Sequence, residues 1–193
     1  MFEYLKGKIT DLAPTYVVVE TGSIGFHLNI SLTTYTHIKD RQEVQLYVHH
    51  VIREDAHLLF GFYDPAEREL FRQLVSVSGI GANTARLILS SLGPDDLRRA
   101  IVSENVALLQ GIKGIGAKTA QRVIVDLRDK VGKVPAEGEI LVPQDNSIME
   151  ESLSALVTLG FPKARVKKVV EKIMQGDPSL PVEEIVKEAL KVL

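Results

Sequence analysis

Leu74-Val-Ser-Val-Ser-Gly79-Ile80-Gly81-Ala-Asn83-Thr84-Ala85 recurs as Leu109-Gln-Gly-Ile-Lys-Gly114-Ile115-Gly116-Ala-Lys118-Thr119-Ala120, with an offset of 35 residues at every matched position. A fixed offset marks an internal repeat. Each copy reads as a helix, a tight hairpin holding Gly-Ile-Gly, and a second helix that begins near Ala82 or Ala117. This is the helix-hairpin-helix pattern. Gly79, Gly81, Gly114 and Gly116 permit a sharp turn and let a ligand approach the backbone closely. Ile80 and Ile115, between the glycines, are placed to anchor each hairpin in a core. The start of the second helix offers unpaired N–H groups at the positive end of the helix dipole, which suits a phosphate. Asn83, Thr84, Lys118 and Thr119 lie in that first turn. Arg86 and Arg122 follow within about one turn and are expected to reach the same side. Contacts of this type hold a nucleic-acid backbone and read no bases.

The surrounding charge agrees. The whole chain of 193 residues has a formal net charge of −2. Residues 65–130 hold 10 Lys/Arg against 7 Asp/Glu, whereas residues 1–64 hold 5 against 8 and residues 131–193 hold 8 against 10. The repeat therefore sits in a basic segment between two acidic ones, and a small net charge conceals that polarity.

Upstream, Lys8–Leu12, Tyr16–Glu20, Gly25–Ile30, Val44–Val48 and His57–Phe62 are short and rich in β-branched and aromatic residues. Such segments read as strands. Five of them in about 60 residues predict an OB-like barrel, because closure removes exposed edges. No helix is expected before Asp64-Pro65-Ala66-Glu67, which reads as an N-cap, a first-turn proline and a capping-box glutamate. Downstream, residues 132–146 hold two prolines and two glycines with little periodicity, and read as a linker. A second capping box, Ser147-Ile-Met-Glu150, opens three amphipathic helices in residues 147–193. The expected fold class is multidomain α+β: a barrel over 1–63, an all-α tandem helix-hairpin-helix domain over 64–131, the linker, and a three-helix domain over 147–193.

Several chemistries are not expected. The chain contains no cysteine, which excludes disulfides, thiolate nucleophiles and cysteine metal sites. Mean hydropathy is +0.08, and no apolar run approaches the roughly 20 residues of a membrane span. No signal peptide is read at the start, so a cytoplasmic location is expected. Gly111-Ile-Lys-Gly-Ile-Gly116-Ala117-Lys118-Thr119 falls short of a P-loop, because Ala117 separates the last glycine from the lysine. His49 and His50 are neighbours on a strand and point to opposite faces, so they cannot chelate one metal. Asp126 and Asp129 read as surface partners of Arg122 and Lys130. No catalytic residue, metal or cofactor is expected. One enzymatic alternative stays open, a helix-hairpin-helix subunit of a DNA-repair nuclease or glycosylase. The latter would place a catalytic Asp near Pro135-Ala-Glu-Gly-Glu139, where none stands. A protein-interaction scaffold whose glycines are purely structural is the other alternative.

Over essentially its whole length the chain resembles the RuvA family. The paired Gly-Ile-Gly motifs, Lys118-Thr-Ala-Gln-Arg-Val-Ile-Val, and Val51-Ile-Arg53-Glu54-Asp55-Ala-His-Leu-Leu-Phe-Gly-Phe62 carry the likeness. By itself Arg53-Glu54-Asp55 reads as a polar turn. The resemblance makes Glu54 and Asp55 the family's acidic pin, with Arg53 as a further DNA contact. It also implies a non-catalytic subunit that holds four-way junction DNA open in recombination, DNA repair and the SOS response. It implies assembly into a tetramer or octamer, a UBA-like last domain that recruits the hexameric ATPase RuvB, and an association with the resolvase RuvC. The sequence departs from an even repeat at Asn83, which stands where the second copy has Lys118, so an unequal grip by the two hairpins is expected.

Overall fold

The computed structural model describes residues 2–131, 144–177 and 180–193. The chain forms two compact units, over residues 1–134 and 135–193.

The first unit opens with five strands: β1 (Tyr4–Ala13), β2 (Tyr16–Thr21), β3 (Ile24–Ile30), β4 (Glu43–Ile52) and β5 (His57–Phe62). They close into a barrel in the order β1-β2-β3-β5-β4. Only β3 and β5 pair in parallel; the other neighbours are antiparallel. β1 and β4 run longer than their sequence patterns suggest. A register shift between Ile9 and Asp11 bends β1 so that it pairs with β4 at one end and β2 at the other. Leu5, Val17, Val19, Leu28, Ile30, Val44, Leu46 and Val48 fill the interior.

A helix unforeseen in the sequence, α1 (Leu32–Ile38), joins β3 to β4. Its threonines and tyrosine favour strand, but tertiary contacts override that preference. Ser31 caps it by accepting from the Thr34 N–H at 3.0 Å. Thr34 and Ile38, one turn apart, are fully buried.

The helical part comprises α2 (Pro65–Val75), α3 (Ala82–Ser91), α4 (Pro94–Val102), α5 (Val106–Gln110) and α6 (Ala117–Val131). Asp64 caps α2 through the Ala66 N–H at 2.7 Å, and Pro65 takes the first helical position. Glu67 does not complete the capping box. It is buried and turns to α1, accepting from the hydroxyls of Ser31 and Thr34, the latter at 2.7 Å. Burial pushes its carboxyl above the ordinary range, against the opposing pull of those two hydrogen bonds. Phe60 and Phe62 at the end of β5 pack on Phe71 of α2, with ring centroids 5.0 and 4.9 Å apart. One continuous core therefore runs from the barrel wall through both hairpins to Val131.

In the second unit, α7 (Gln144–Thr158), α8 (Lys163–Gly176) and α9 (Val182–Leu190) enclose Leu156, Val166, Val170, Ile185 and Ala189. The backbone of α7 is already helical at Gln144, so Ser147 lies within the helix and is not its N-cap. Residues 144–146 of the expected linker are therefore helical, and 132–143 lie outside the described residues. Pro162 and Pro181 stand at the N-caps of α8 and α9. α7 ends in a Schellman turn. Gly160 at φ +99° donates to Val157 at 3.0 Å, and Phe161 donates to Leu156 at 3.2 Å. Among the described residues no helix is long and apolar enough to cross a membrane.

Candidate nucleic-acid interface

The two sequence copies fold into two copies of one backbone device. In the first, the Ile80 N–H donates to the Val77 carbonyl at 3.0 Å; in the second, Ile115 donates to Ile112 at 3.0 Å. The third residue of each turn is Gly79 at φ +92° or Gly114 at φ +88°. A type II turn reserves that position for glycine, because a Cβ there is strained. Ile80 and Ile115 are buried and pin each turn to the shared core. The first intrahelical bonds match as well: Ala85 to Gly81 and Ala120 to Gly116, each at 2.9 Å.

Each following helix therefore leaves its first N–H groups unpaired, those of Ala82 to Thr84 in α3 and Ala117 to Thr119 in α6. Gly81 caps α3 with φ −87° and ψ 168°, and no side chain caps that helix. A Cβ built on Gly81 or Gly116 would meet nothing within 4 Å, and neither residue needs a positive φ. The fold itself does not require glycine at these two positions. Their openness leaves bare backbone at the positive end of a helix, where a phosphate oxygen can be held by N–H groups.

The candidate side chains divide. Asn83 and Lys118 are exposed, and Thr84 and Thr119 are half-buried, in the first turns of α3 and α6. Arg86 faces elsewhere. Its guanidinium donates to the Thr15 carbonyl at 2.8 Å and approaches Asn29 Oδ1 at 3.4 Å, and burial lowers its pKa. It thus ties α3 to the barrel. α1 adds a second tie, Thr33 Oγ1 donating to the Leu89 carbonyl at 2.8 Å. Arg122 reaches across the repeat, donating from Nη1 to the Ser78 carbonyl at 3.1 Å. A cation from the second copy therefore stands at the first hairpin. Arg122 is then no partner of Asp126 or Asp129. Asp129 lies 3.6 Å from Arg128, which also pairs with Glu104 at 2.5 Å.

Lys113 was not among the expected site residues. It is exposed in the second position of the second turn, directly before Gly114. The signal was the turn itself: the second position of each turn, Ser78 or Lys113, is exposed beside its glycine.

Arg53, Glu54 and Asp55 form the exposed tip between β4 and β5. The Ile52–His57 pair closes the strands, and the Arg53 N–H donates to the Ala56 carbonyl at 2.8 Å. Among the described residues neither carboxylate has an ion pair. On β4, His49 stacks edge-on against Phe71 at 5.2 Å while His50 lies 5.4 Å from His57, so the two point to opposite faces. Among the described residues no group of His, Asp and Glu could hold a metal ion. The stretch Pro135–Glu139, where a glycosylase would carry its Asp, lies outside the described residues.

Comparison with known families covers the same regions. Residues 1–61 match the RuvA N terminal domain, 71–129 the SAM-like helix-hairpin-helix tandem, and 147–193 the RuvA C-terminal domain. Curated relatives named "Holliday junction branch migration complex subunit RuvA" match along the full length of both chains. They include those of Christiangramia forsetii at 52% identity over 193 residues and Bacteroides fragilis at 47% over 201. That of Flavobacterium psychrophilum is 46% identical over 193. With a closed five-stranded barrel, a tandem hairpin pair and a three-helix end, each matched by its own domain model and by full-length relatives, this chain belongs to the RuvA family.

Proposed function

We infer that this chain is a Holliday-junction-binding subunit of a branch-migration complex, itself without catalytic activity and working in the cytoplasm. The observation that carries the reading is the pair of equivalent hairpins, each ending in uncovered backbone N–H groups within the basic segment. Gly79–Gly81, Asn83 and Thr84 form one phosphate site, and Gly114–Gly116, Lys118 and Thr119 the other, with Arg122 between them. Backbone amides grip any sequence, which suits a protein that must follow a moving crossover.

A junction has four arms, and a closed ring of four subunits offers each arm an equivalent pair of hairpins. We therefore assign a tetramer, or two stacked as an octamer. In that ring Glu54 and Asp55 converge near the axis, with Arg53 beside the crossover. Carboxylates near phosphates repel by about 1 kcal/mol at 4 Å even in water. The outer hairpins then draw the arms in while the pins oppose a continuous duplex across the centre. Residues 147–193 recruit the RuvB ATPase, which supplies the work of migration, and the open face of the junction is left for RuvC.

A gel-shift comparison of four-way junction with linear duplex at fixed salt tests the reading. The junction is expected to bind at least tenfold more tightly; equal affinity overturns it. Truncation after Gly132 is expected to leave junction binding intact and abolish stimulation of RuvB. Branch migration by the truncated chain would remove the last domain from that role.

A further inference from the structure

The two hairpins share a backbone but not a charge. At the second position of the turn the first copy has Ser78 and the second Lys113; in the first turn of the following helix the first has Asn83 and the second Lys118. All four are exposed. Neither lysine has an ion pair among the described residues. The cation of the first copy, Arg86, is committed to the Thr15 carbonyl of the barrel. The first hairpin is left with a borrowed cation, Arg122, held at the Ser78 carbonyl.

The barrel explains the division. α3 lies against α1 and the barrel, and its Ser90 and Arg86 side chains are drawn into holding the fold, Ser90 Oγ accepting from the Leu32 N–H and Arg86 donating to the Thr15 carbonyl. α6 packs on α2, α4 and α5. Its N-terminal turn and the hairpin before it keep their lysines free.

We propose that Lys113 is a phosphate contact, so that the second hairpin carries the larger cationic share of DNA binding, through Lys113 and Lys118 flanking the bare amides after Gly116. The first hairpin holds its strand chiefly through backbone dipoles. The inference rests on the junction-binding reading above. It adds a division of labour: the second hairpin's grip, with two free lysines, weakens more steeply with salt than the first hairpin's, which has Arg122 alone. A lysine on a tight turn reaches a phosphate without the loss of a helical contact. A dipolar site releases no counterion from the DNA when it engages, whereas each lysine contact does.

The test is the slope of log affinity against log salt for the full-length chain on a four-way junction. Lys113→Gln is expected to lower the slope by about 0.9 per bound copy, as Lys118→Gln does. Ser78→Lys, at the matched position of the first hairpin, is expected to raise it by a similar step. Lys39→Gln, at the C-cap of α1 and outside both hairpins, reports the effect of total charge alone and is expected to leave the slope unchanged. A Lys113→Gln slope equal to that of the wild type overturns the proposal. So does an equal fall with Lys39→Gln, or the absence of any gain with Ser78→Lys. Wild-type protein that shows no preference for the junction would instead sink the underlying reading, and that is measured before any variant is compared.

Discussion

The first hairpin and the second differ by 4° in the φ of their turn glycines, +92° at Gly79 against +88° at Gly114, yet they share neither lysine. The residues that set the backbone are held in common: a buried leucine (Leu74, Leu109), the turn glycine, a buried isoleucine (Ile80, Ile115) and a buried alanine (Ala85, Ala120). The differences that change charge, Ser78 against Lys113 and Asn83 against Lys118, are at exposed positions, whereas the buried Val77 and Ile112 exchange one apolar side chain for another. Shape and charge are thus specified by separate positions. One copy can change how it attracts a ligand without changing how it folds.

The harshest way to break the equivalence is through the anchors. Ile80→Ala and Ile115→Ala each remove a buried side chain from the same core, and each is expected to cost about 2–5 kcal/mol in urea unfolding. A copy that tolerated the truncation would show that its hairpin is held by something other than its isoleucine. A finer cut uses the second glycines. Gly81→Ala and Gly116→Ala place a methyl in open space, so stability is expected to change by less than about 1 kcal/mol. Junction affinity is expected to fall about tenfold, or about 1.4 kcal/mol, because the methyl stands where a phosphate must approach the amides. Normal affinity in either variant would leave that hairpin without a close backbone contact.

The tip of the barrel sharpens the comparison, since on the proposed reading the hairpins would provide attraction and the pins selectivity. Glu54→Gln with Asp55→Asn is expected to strengthen binding to linear duplex several-fold and narrow the junction-to-duplex ratio. An unchanged ratio in the folded double variant would reduce both residues to ordinary turn chemistry. The smallest expected effect concerns only the support of the first hairpin. His49 packs on Phe71 of α2, the helix that leads into that hairpin. Burial first, then the charges of Arg72 and Arg68, lower its pKa from the usual 6.5. Its contribution to stability is therefore complete above about 6.5 and is lost as the pH falls through the folded value. Glu67, whose pKa is raised, acts in the opposite sense: its contribution is present in acid and is lost as the pH rises through its folded value. His49→Phe is expected to flatten the loss of urea midpoint on acidification from neutrality. An equally steep loss in that variant would assign the acid limb to other groups.

The repeat, the five strands and the start of α2 were legible because each depends on neighbours in sequence: glycine spacing, alternation, and a cap followed by proline. What escaped depends on partners far along the chain. α1 was missed because its strand-favouring residues are overruled by Ser31 and Thr34, both committed to Glu67, 36 and 33 positions away. Glu67 itself was misread for the same reason, since the local signature of a capping box is identical whether the carboxylate turns back or outward. Arg86 and Arg122 looked alike on their helices, and only the fold decides that one braces the barrel and the other crosses to Ser78. At α7 the serine-to-glutamate spacing was a coincidence inside a helix that begins at Gln144.

β5 begins at His57, two residues beyond Asp55, and ends at Phe62, two residues before the cap of α2. Its six residues form a single extended rod of roughly 20 Å, hydrogen-bonded on one side to β4 and on the other to β3. The rod has no joint, and its far end is set among aromatic rings in the helical core. One hydrogen-bonded strand therefore joins the tip to the platform that bears the hairpins. On the reading proposed above, a crossover driven past the carboxylates would load the same solid piece that carries the hairpins, much as a ploughshare is carried by its frame.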